Sequence, residues 1–315
     1  MASRYWLLLS YTLLVVTILV YSQTSLAQQR TRSTSAARLS NKPITIHTEP
    51  QAIVWLDDVR RGVTDAEGIL VINTVASGRR LLRARASGFK ETSVPLTPSR
   101  RGDVTVRLVR TKDPAELVFQ QAEAARENGR NDIARKSAVE LYRNAIKLRP
   151  NFAAAHLGLA RSLLELSDYT GALEEIDRAH VLRRNYAEAF AVEGRILRMA
   201  ADEAAAIEAF QRAVKAGRGF QPEAHTGLGL VYQDKGMYDE AAAEFRKAIS
   251  QLSDTEPILY QLLGAVYEKQ EKYKEAVAAY EKYLELAPDG SLAPAIRSVM
   301  DQLRKQAEGR SGLPY

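Results

Sequence analysis

Apolar positions along this chain follow two rhythms. From Pro43 to Arg110 they alternate with polar ones, and from about Ala115 to Pro288 they recur at i, i+3 and i+4. The first rhythm predicts short strands and the second predicts amphipathic helices. The helical pattern itself repeats. Ala138, Ala172, Ala206, Ala241 and Ala276 fall at spacings of 34, 34, 35 and 35 residues. Ala160, Gly194, Gly229 and Gly264 form a second row, and Tyr142, Ile176, Phe210, Phe245 and Tyr280 follow the first row by four residues. Rows of small and large residues at a fixed period near 34 mark stacked helical hairpins. In the fourth repeat Leu228, Val231 and Tyr232 stripe a first helix, Gly236 ends it, and Ala241, Phe245, Ala248 and Ile249 share a face of the second. No hairpin covers its own apolar faces, so five of them stack into a solenoid. Glycine inside a helix costs about 1 kcal/mol relative to alanine. Gly194, Gly229 and Gly264 are therefore expected to serve close helix approach, opposite Ala206, Ala241 and Ala276.

The stretch resembles a run of tetratricopeptide repeats. In the fifth repeat Tyr260, Leu263-Gly264, Tyr267, Ala276, Tyr280 and Pro288 follow the family pattern, with Tyr283 in place of its last alanine. The second repeat has Ala160 for glycine and Leu163 for tyrosine; the first is degenerate, and Gly129-Arg130-Asn131 suggests a lengthened turn. The resemblance implies a groove lined by first helices in which partner peptides lie. The inward positions are then Arg161, Glu165, Arg195, Arg198, Met199, Gln233, Asp234, Gln261 and Lys269. The Lys/Asn clamp of some family members is not matched; Arg161, Arg195 and Arg198 read either as a polar seam for carboxylates or backbone oxygens or as solvated helix faces.

The strand-forming half alternates in Ile44 and Ile46, and again in Val104, Val106 and Leu108. In residues 81–86 Leu82, Ala84 and Ala86 point one way, and Leu81, Arg83 and Arg85 the other. Turn signals at Glu49-Pro50, Asp57-Asp58, Glu67-Gly68, Ser77-Gly78, Ser87-Gly88 and Arg101-Gly102 separate short strands of a small antiparallel sandwich. Pro50, Ala52, Asp57, Gly62, Thr64, Gly78, Gly88 and Phe89 resemble the PEGA domain family of envelope proteins, with Gln51 and Asp58 where that family usually carries glycine; a carboxypeptidase-regulatory-like sandwich is the similar alternative. The fold class expected is thus α+β: a small antiparallel β-sandwich, then an all-α solenoid of five helix-turn-helix repeats with a capping helix.

Arg4, an apolar run from about Tyr5 to Tyr21, and Ser25 and Ala27 before Gln28 resemble a secretory signal peptide cut after Ala27. The rival is an anchor through residues 5–21, at the short limit for a bilayer. Either places the rest outside the cytoplasm, in a bacterium the periplasm or cell envelope. The domains expected are residues 1–27, signal peptide or anchor; 28–42, a flexible linker rich in Ser, Thr, Arg and Gln; 43–110, the sandwich; 113–289, the solenoid, opened by Asp113-Pro114-Ala115-Glu116 as cap and first turn; and 291–308, the capping helix.

The net charge of +6 is unevenly spread: residues 28–110 hold 15 Lys and Arg against 7 Asp and Glu, and residues 111–315 hold 28 against 31. Arg60-Arg61, Arg79-Arg80 and Arg100-Arg101 sit at turns of the sandwich, and Arg83 and Arg85 share a strand face. They read as a solvated face with guarded sheet edges. The sharper alternative makes Arg60, Arg61, Arg79, Arg80, Arg83 and Arg85 a site for anionic lipid heads, glycans or an acidic protein. Nucleic acid is disfavoured, since no aromatic residues interleave the basic ones. Cysteine is absent, which removes disulfides, thiolate metal sites and thiol nucleophiles. Among the four histidines no pair has metal spacing, and packing accounts for His156 and His225 at the bulky site of their repeats. Asp57-Asp58 reads as a hairpin turn rather than an acid/base couple. No catalytic residue, metal ligand or cofactor site is expected.

The function expected is that of an exported, non-enzymatic adaptor. Its groove binds a protein or peptide and its basic sandwich docks at the envelope. The alternative is a glycan- or cell-wall-binding protein whose sandwich carries recognition while the repeats act as a spacer.

Overall fold

The computed structural model describes residues 39–40, 43–56, 59–73, 75–76, 80–97, 102–129, 131–252 and 256–311 of the chain. The expected leader, most of the linker, Asp57, Asp58, Gly78, Arg79, Arg100, Arg101 and Arg130 lie outside the described residues.

Period-two patterning builds the first half. Its larger sheet has the order β4-β3-β7-β9, from Val59–Val63, Ile53–Leu56, Arg80–Arg85 and Thr92–Leu96. A second sheet has the order β10-β2-β5, from Asp103–Thr105, Ile44–His47 and Ile69–Ile72. Two short pairs join β1 (Leu39–Ser40) to β6 (Val75–Ala76) and β8 (Phe89–Lys90) to β11 (Val109–Arg110). The pairings are antiparallel except that β10 runs parallel to β2, Val104 opposite Ile46. The alternating residues Ile44, Ile46, Val54, Leu56, Leu82, Ala84, Val104 and Val106 form one buried core. Thr64 fixes the turn before β3: its hydroxyl accepts from Ala52 N at 2.8 Å and donates to the Glu49 carbonyl at 2.7 Å. Gln51, where the resembled family carries glycine, has φ 56°, in the left-handed region that glycine occupies without cost.

The 3.6-residue rhythm builds the second half as five antiparallel hairpins. They are α1 (Pro114–Asn128) with α2 (Asp132–Leu148), α3 (Ala153–Glu165) with α4 (Tyr169–Leu182), α5 (Ala187–Met199) with α6 (Glu203–Ala216), α7 (Pro222–Asp234) with α8 (Tyr238–Gln251), and α9 (Pro257–Lys269) with α10 (Tyr273–Leu286). A last helix, α11 (Ala293–Ser311), packs Ile296, Met300 and Leu303 against Tyr280 and Tyr283. Asp113 caps α1 by accepting from Ala115 N at 3.0 Å. Asp113 N donates to Thr111 Oγ1, and Glu116 turns to Gln120 and Arg149 rather than closing a capping box. Every hairpin from the second to the fifth turns through one left-handed residue, Ser167, Ala201, Gly236 and Glu271 in register. Among the described residues no helix is long and apolar enough to cross a membrane.

All five alanines of the first row are fully buried. The glycine row departs from expectation in what lies nearest to it, which is the aromatic row rather than the alanines. A Cβ at Gly194 would stand 2.6 Å from the Phe210 ring, at Gly229 2.5 Å from Phe245, and at Gly264 2.6 Å from Tyr280. Each ring lies over the glycine of its own first helix, and Gly227 of the next repeat closes on the far edge of Phe210. Where Ile176 replaces the ring, Ala160 and Val192 occupy the corresponding positions.

Candidate functional site

The first helices α1, α3, α5, α7 and α9 present one continuous concave face, and β7 enters it. The alternation that sends Leu82 and Ala84 into the sandwich core sends Arg83 and Arg85 the other way, onto the helices. Arg85 Nη2 donates to Glu123 Oε2 at 2.9 Å, and Arg83 Nη2 lies 3.6 Å from Glu188 Oε2. Trp55 of β3 stands beside both guanidinium groups, 4.5 Å from that of Arg83 and 4.9 Å from that of Arg85, and Phe119 lies 5.1 Å from Arg85. The two side chains are only 11% and 7% exposed. Further contacts complete the junction. The Gln120 amide accepts from Gly88 N and donates to the Phe89 carbonyl, both at 2.8 Å. Arg60 donates to Glu127 at 3.2 Å, and Arg80 stacks 4.8 Å from the Phe220 ring centre.

The acceptors of this junction are also held from the solenoid side. The Tyr142 hydroxyl donates to Glu123, and Arg161 donates to Glu188 at 2.6 Å. Burial pushes the pKa of both carboxyls up, but the nearby guanidinium charges outweigh it. Arg85 and Arg126 hold Glu123 below the ordinary range, and Arg161 and Arg83 do the same for Glu188. At Glu91 burial wins, and its pKa is raised despite Arg83 at 3.5 Å and Arg85 at 4.0 Å.

Further along the concave face, arginines bridge successive first helices. Arg126 reaches Glu165 at 3.4 Å, Arg161 reaches Glu188, Arg195 reaches Glu223 at 3.2 Å, and Arg198 reaches Asp234 at 2.8 Å. The expected seam of arginines is present on this face, and its members pair with carboxylates of the same face. Between the helices and β7 lies a cavity of ≈ 470 Å³. Arg161, Arg195, Thr226, Glu256 and Ile258 line it, together with Arg83 and Arg85.

The residues expected to face a partner fall into two sets. Arg161, Glu165 and Arg195 line the cavity. Arg198, Met199, Gln233, Asp234, Gln261 and Lys269 do not line it; Met199, Asp234 and Lys269 are exposed, and Arg198, Gln233 and Gln261 are half-buried. Of the arginines expected to meet an anionic surface, Arg60, Arg80, Arg83 and Arg85 turn instead onto the solenoid, and Arg61 is half-buried. Arg83 and Arg85 are therefore not a solvated face. They lie on β7, an interior strand of its sheet, so they guard no edge either.

Two buried pairs escaped sequence reading. His156 Nδ1 lies 2.6 Å from Glu175 Oε2 and its Nε2 lies 3.0 Å from the Pro150 carbonyl oxygen. Both partners are acceptors, so these contacts favour the charged ring, which donates from both nitrogens. Burial alone would lower the His156 pKa, but the bond to Glu175 and the Pro150 carbonyl raise it. His225 makes the same 2.6 Å contact with Glu244. The signal was present in the chain: each histidine is followed 19 residues later by glutamate, whereas Phe190 and Tyr260 at the same site are followed by Ala209 and Ala279.

Residues 119–190 and residues 221–289 each match a tetratricopeptide repeat model. No curated protein matches the chain. Among solved structures, a thermophilic TPR protein of Thermus thermophilus is 24% identical with a TM-score of 0.50, covering 60% of this chain and 98% of that one. The pilF protein of Pseudomonas aeruginosa is 17% identical with a TM-score of 0.53, covering 62% and 86%. A MamA protein is 27% identical with a TM-score of 0.44, covering 56% and 94%. The first two share the fold.

Proposed function

Since the helical half carries tetratricopeptide repeats, we propose that this protein is a non-enzymatic adaptor that holds a segment of a partner protein between its concave face and its own β-rich half. The observation that carries this reading is the cavity of ≈ 470 Å³ on the first-helix face, which offers paired charges, a threonine hydroxyl and the partly exposed Ile258 side by side. A polypeptide segment has backbone polar groups and mixed side chains to match such a lining. We infer from the leader-like start that the adaptor works outside the cytoplasm, at a bacterial envelope. Among the described residues, Lys90, Arg107 and Arg110 are exposed on the β-rich half and offer contacts to an anionic envelope surface.

A photoreactive amino acid placed at Ile258 in the full chain, irradiated in cells, tests the groove. Discrete polypeptide adducts are expected from Ile258 and none from Val181, which is 81% exposed away from the cavity. Equal adducts at both positions, or none at Ile258, would remove the groove from the account.

A further inference from the structure

We propose that the strand Arg83-Ala84-Arg85 is an internal ligand of the concave face, and that the acceptors it fills take another extended Arg-x-Arg segment when it withdraws. The inference rests on the reading of that face as polypeptide-binding, and goes beyond it by naming an occupant and the chemistry that selects it.

Four observations carry it. First, the acceptors are built by the solenoid alone: Tyr142 holds Glu123 and Arg161 holds Glu188, so both carboxylates stay in place without the strand. Second, side chains two apart on a strand project to the same side about 7 Å apart. An extended Arg-x-Arg therefore delivers two guanidinium groups to two carboxylates, with Phe119 below one of them. Third, the junction is made of ion pairs and of arginines stacked on Trp55, Phe119 and Phe220. The apolar core of the sandwich and the apolar clusters of the repeats are separate, so the halves can part without opening either core. Fourth, residues 111–113 alone join β11 to α1. So short a tether keeps the internal strand at a high effective concentration, and a few contacts of modest strength suffice to hold the site closed. Vacating it leaves Glu123 and Glu188 partly desolvated with fewer compensating charges, which favours refilling by a segment of the same chemistry.

The probe is a labelled heptapeptide with the sequence of residues 81–87, and its control carries alanine at both arginines. Binding is read by fluorescence anisotropy on the full chain, and separation of the halves by energy transfer between labels at residues 107 and 199. The R83A/R85A chain is expected to show parted halves and to bind the probe at least about tenfold tighter than the wild type, as removal of a tethered competitor requires. Adding E123Q/E188Q should abolish that binding, and the control peptide should not bind. The proposal is overturned if the parted variant ignores the probe, if wild type and variant bind it alike, or if the halves stay docked without both arginines. Should the alanine pair not fold, R83K/R85K, which keeps the charges but loses the forked donors, carries the test. Intermediate probe affinity supports the proposal, and no gain over wild type sinks it. Capture from Ile258 reports the other end of the groove, so either result can fail without the other.

Discussion

At the scale of single residues, the repeat is a negotiation between rings and glycines. Phe210 sits where a Cβ on Gly194 would come within 2.6 Å of it, and Gly227 borders its far edge. Overfilling such a site in a close-packed interior costs about 1–3 kcal/mol. Gly194→Ala should therefore lower stability by roughly that amount in urea denaturation. Phe210→Ile in the same chain should recover part of the loss, because the second repeat already packs Ile176 with Ala160 in those positions. Strict additivity of the two changes would show that ring and glycine are not in contact. The rows themselves were legible in the sequence, since a fixed period tells which positions share a side. What fills the space opposite a glycine was not. Alanine and the aromatic four residues later lie on the same helix face, and spacing alone does not choose between them. The His156–Glu175 and His225–Glu244 pairs were missed for a related reason. A histidine at a bulky site looks self-sufficient until its partner 19 residues on is noticed twice.

At the scale of elements, helix order, hairpin pairing and the final helix followed from periodicity, and β7 followed from its alternation. Alternation assigns two sides to a strand but does not say what stands on either. Arg83 and Arg85 therefore read as solvated when they are in fact packed against α1 and the start of α5. The one sequence signal of that docking was the charge split, with a basic surplus before residue 111 and an acidic one after it. The terminal helix makes its own prediction. α11 buries Ile296, Met300 and Leu303 on Tyr280 and Tyr283, and each such side chain contributes about 1.5–3 kcal/mol when removed from water. A chain ending at Gly290 should lose several kcal/mol on that scale and expose the end of the stack. It is expected to self-associate in sedimentation velocity experiments while keeping its helical circular dichroism. A truncated chain that stays monomeric with an unchanged denaturation midpoint would mean α11 caps nothing.

At the scale of the whole molecule, two halves of opposite charge meet through carboxylates whose protonation is linked to docking. Glu123 and Glu188 lie below the ordinary carboxylate pKa in the docked state, where guanidinium charges outweigh burial. Only the part of that depression due to Arg85 and Arg83 belongs to docking; it is fully present above the unperturbed value of about 4.3 and is lost as pH falls through the docked pKas, whereas the part due to Arg126 and Arg161 stays with the solenoid. Glu91 runs the other way. Burial raises its pKa, so the docked state binds its proton more tightly, and its contribution declines as pH rises from the ordinary value through the raised one. The two carboxylates held by the solenoid set the acid limit, because losing either leaves Arg83 or Arg85 buried with one fewer counter-charge. Acidification should thus part the halves before the repeats melt, since the repeats keep their apolar clusters. They keep them even as Glu193 and Glu244 take up protons, two carboxyls whose pKa burial would raise but bonds from His180 and His225 hold below the ordinary range. Trp55, held between Arg83 and Arg85, reports the event in a W6F chain, where it is the sole tryptophan. Its emission should shift to the red at a higher pH than the loss of helical signal, and added salt should move that step toward neutrality by screening the same pairs. In E123Q/E188Q the early step should be absent and the tryptophan already exposed at neutral pH. If emission and helicity change together in both chains, the junction melts with the solenoid as one unit, and the concave face never stands open to a second strand.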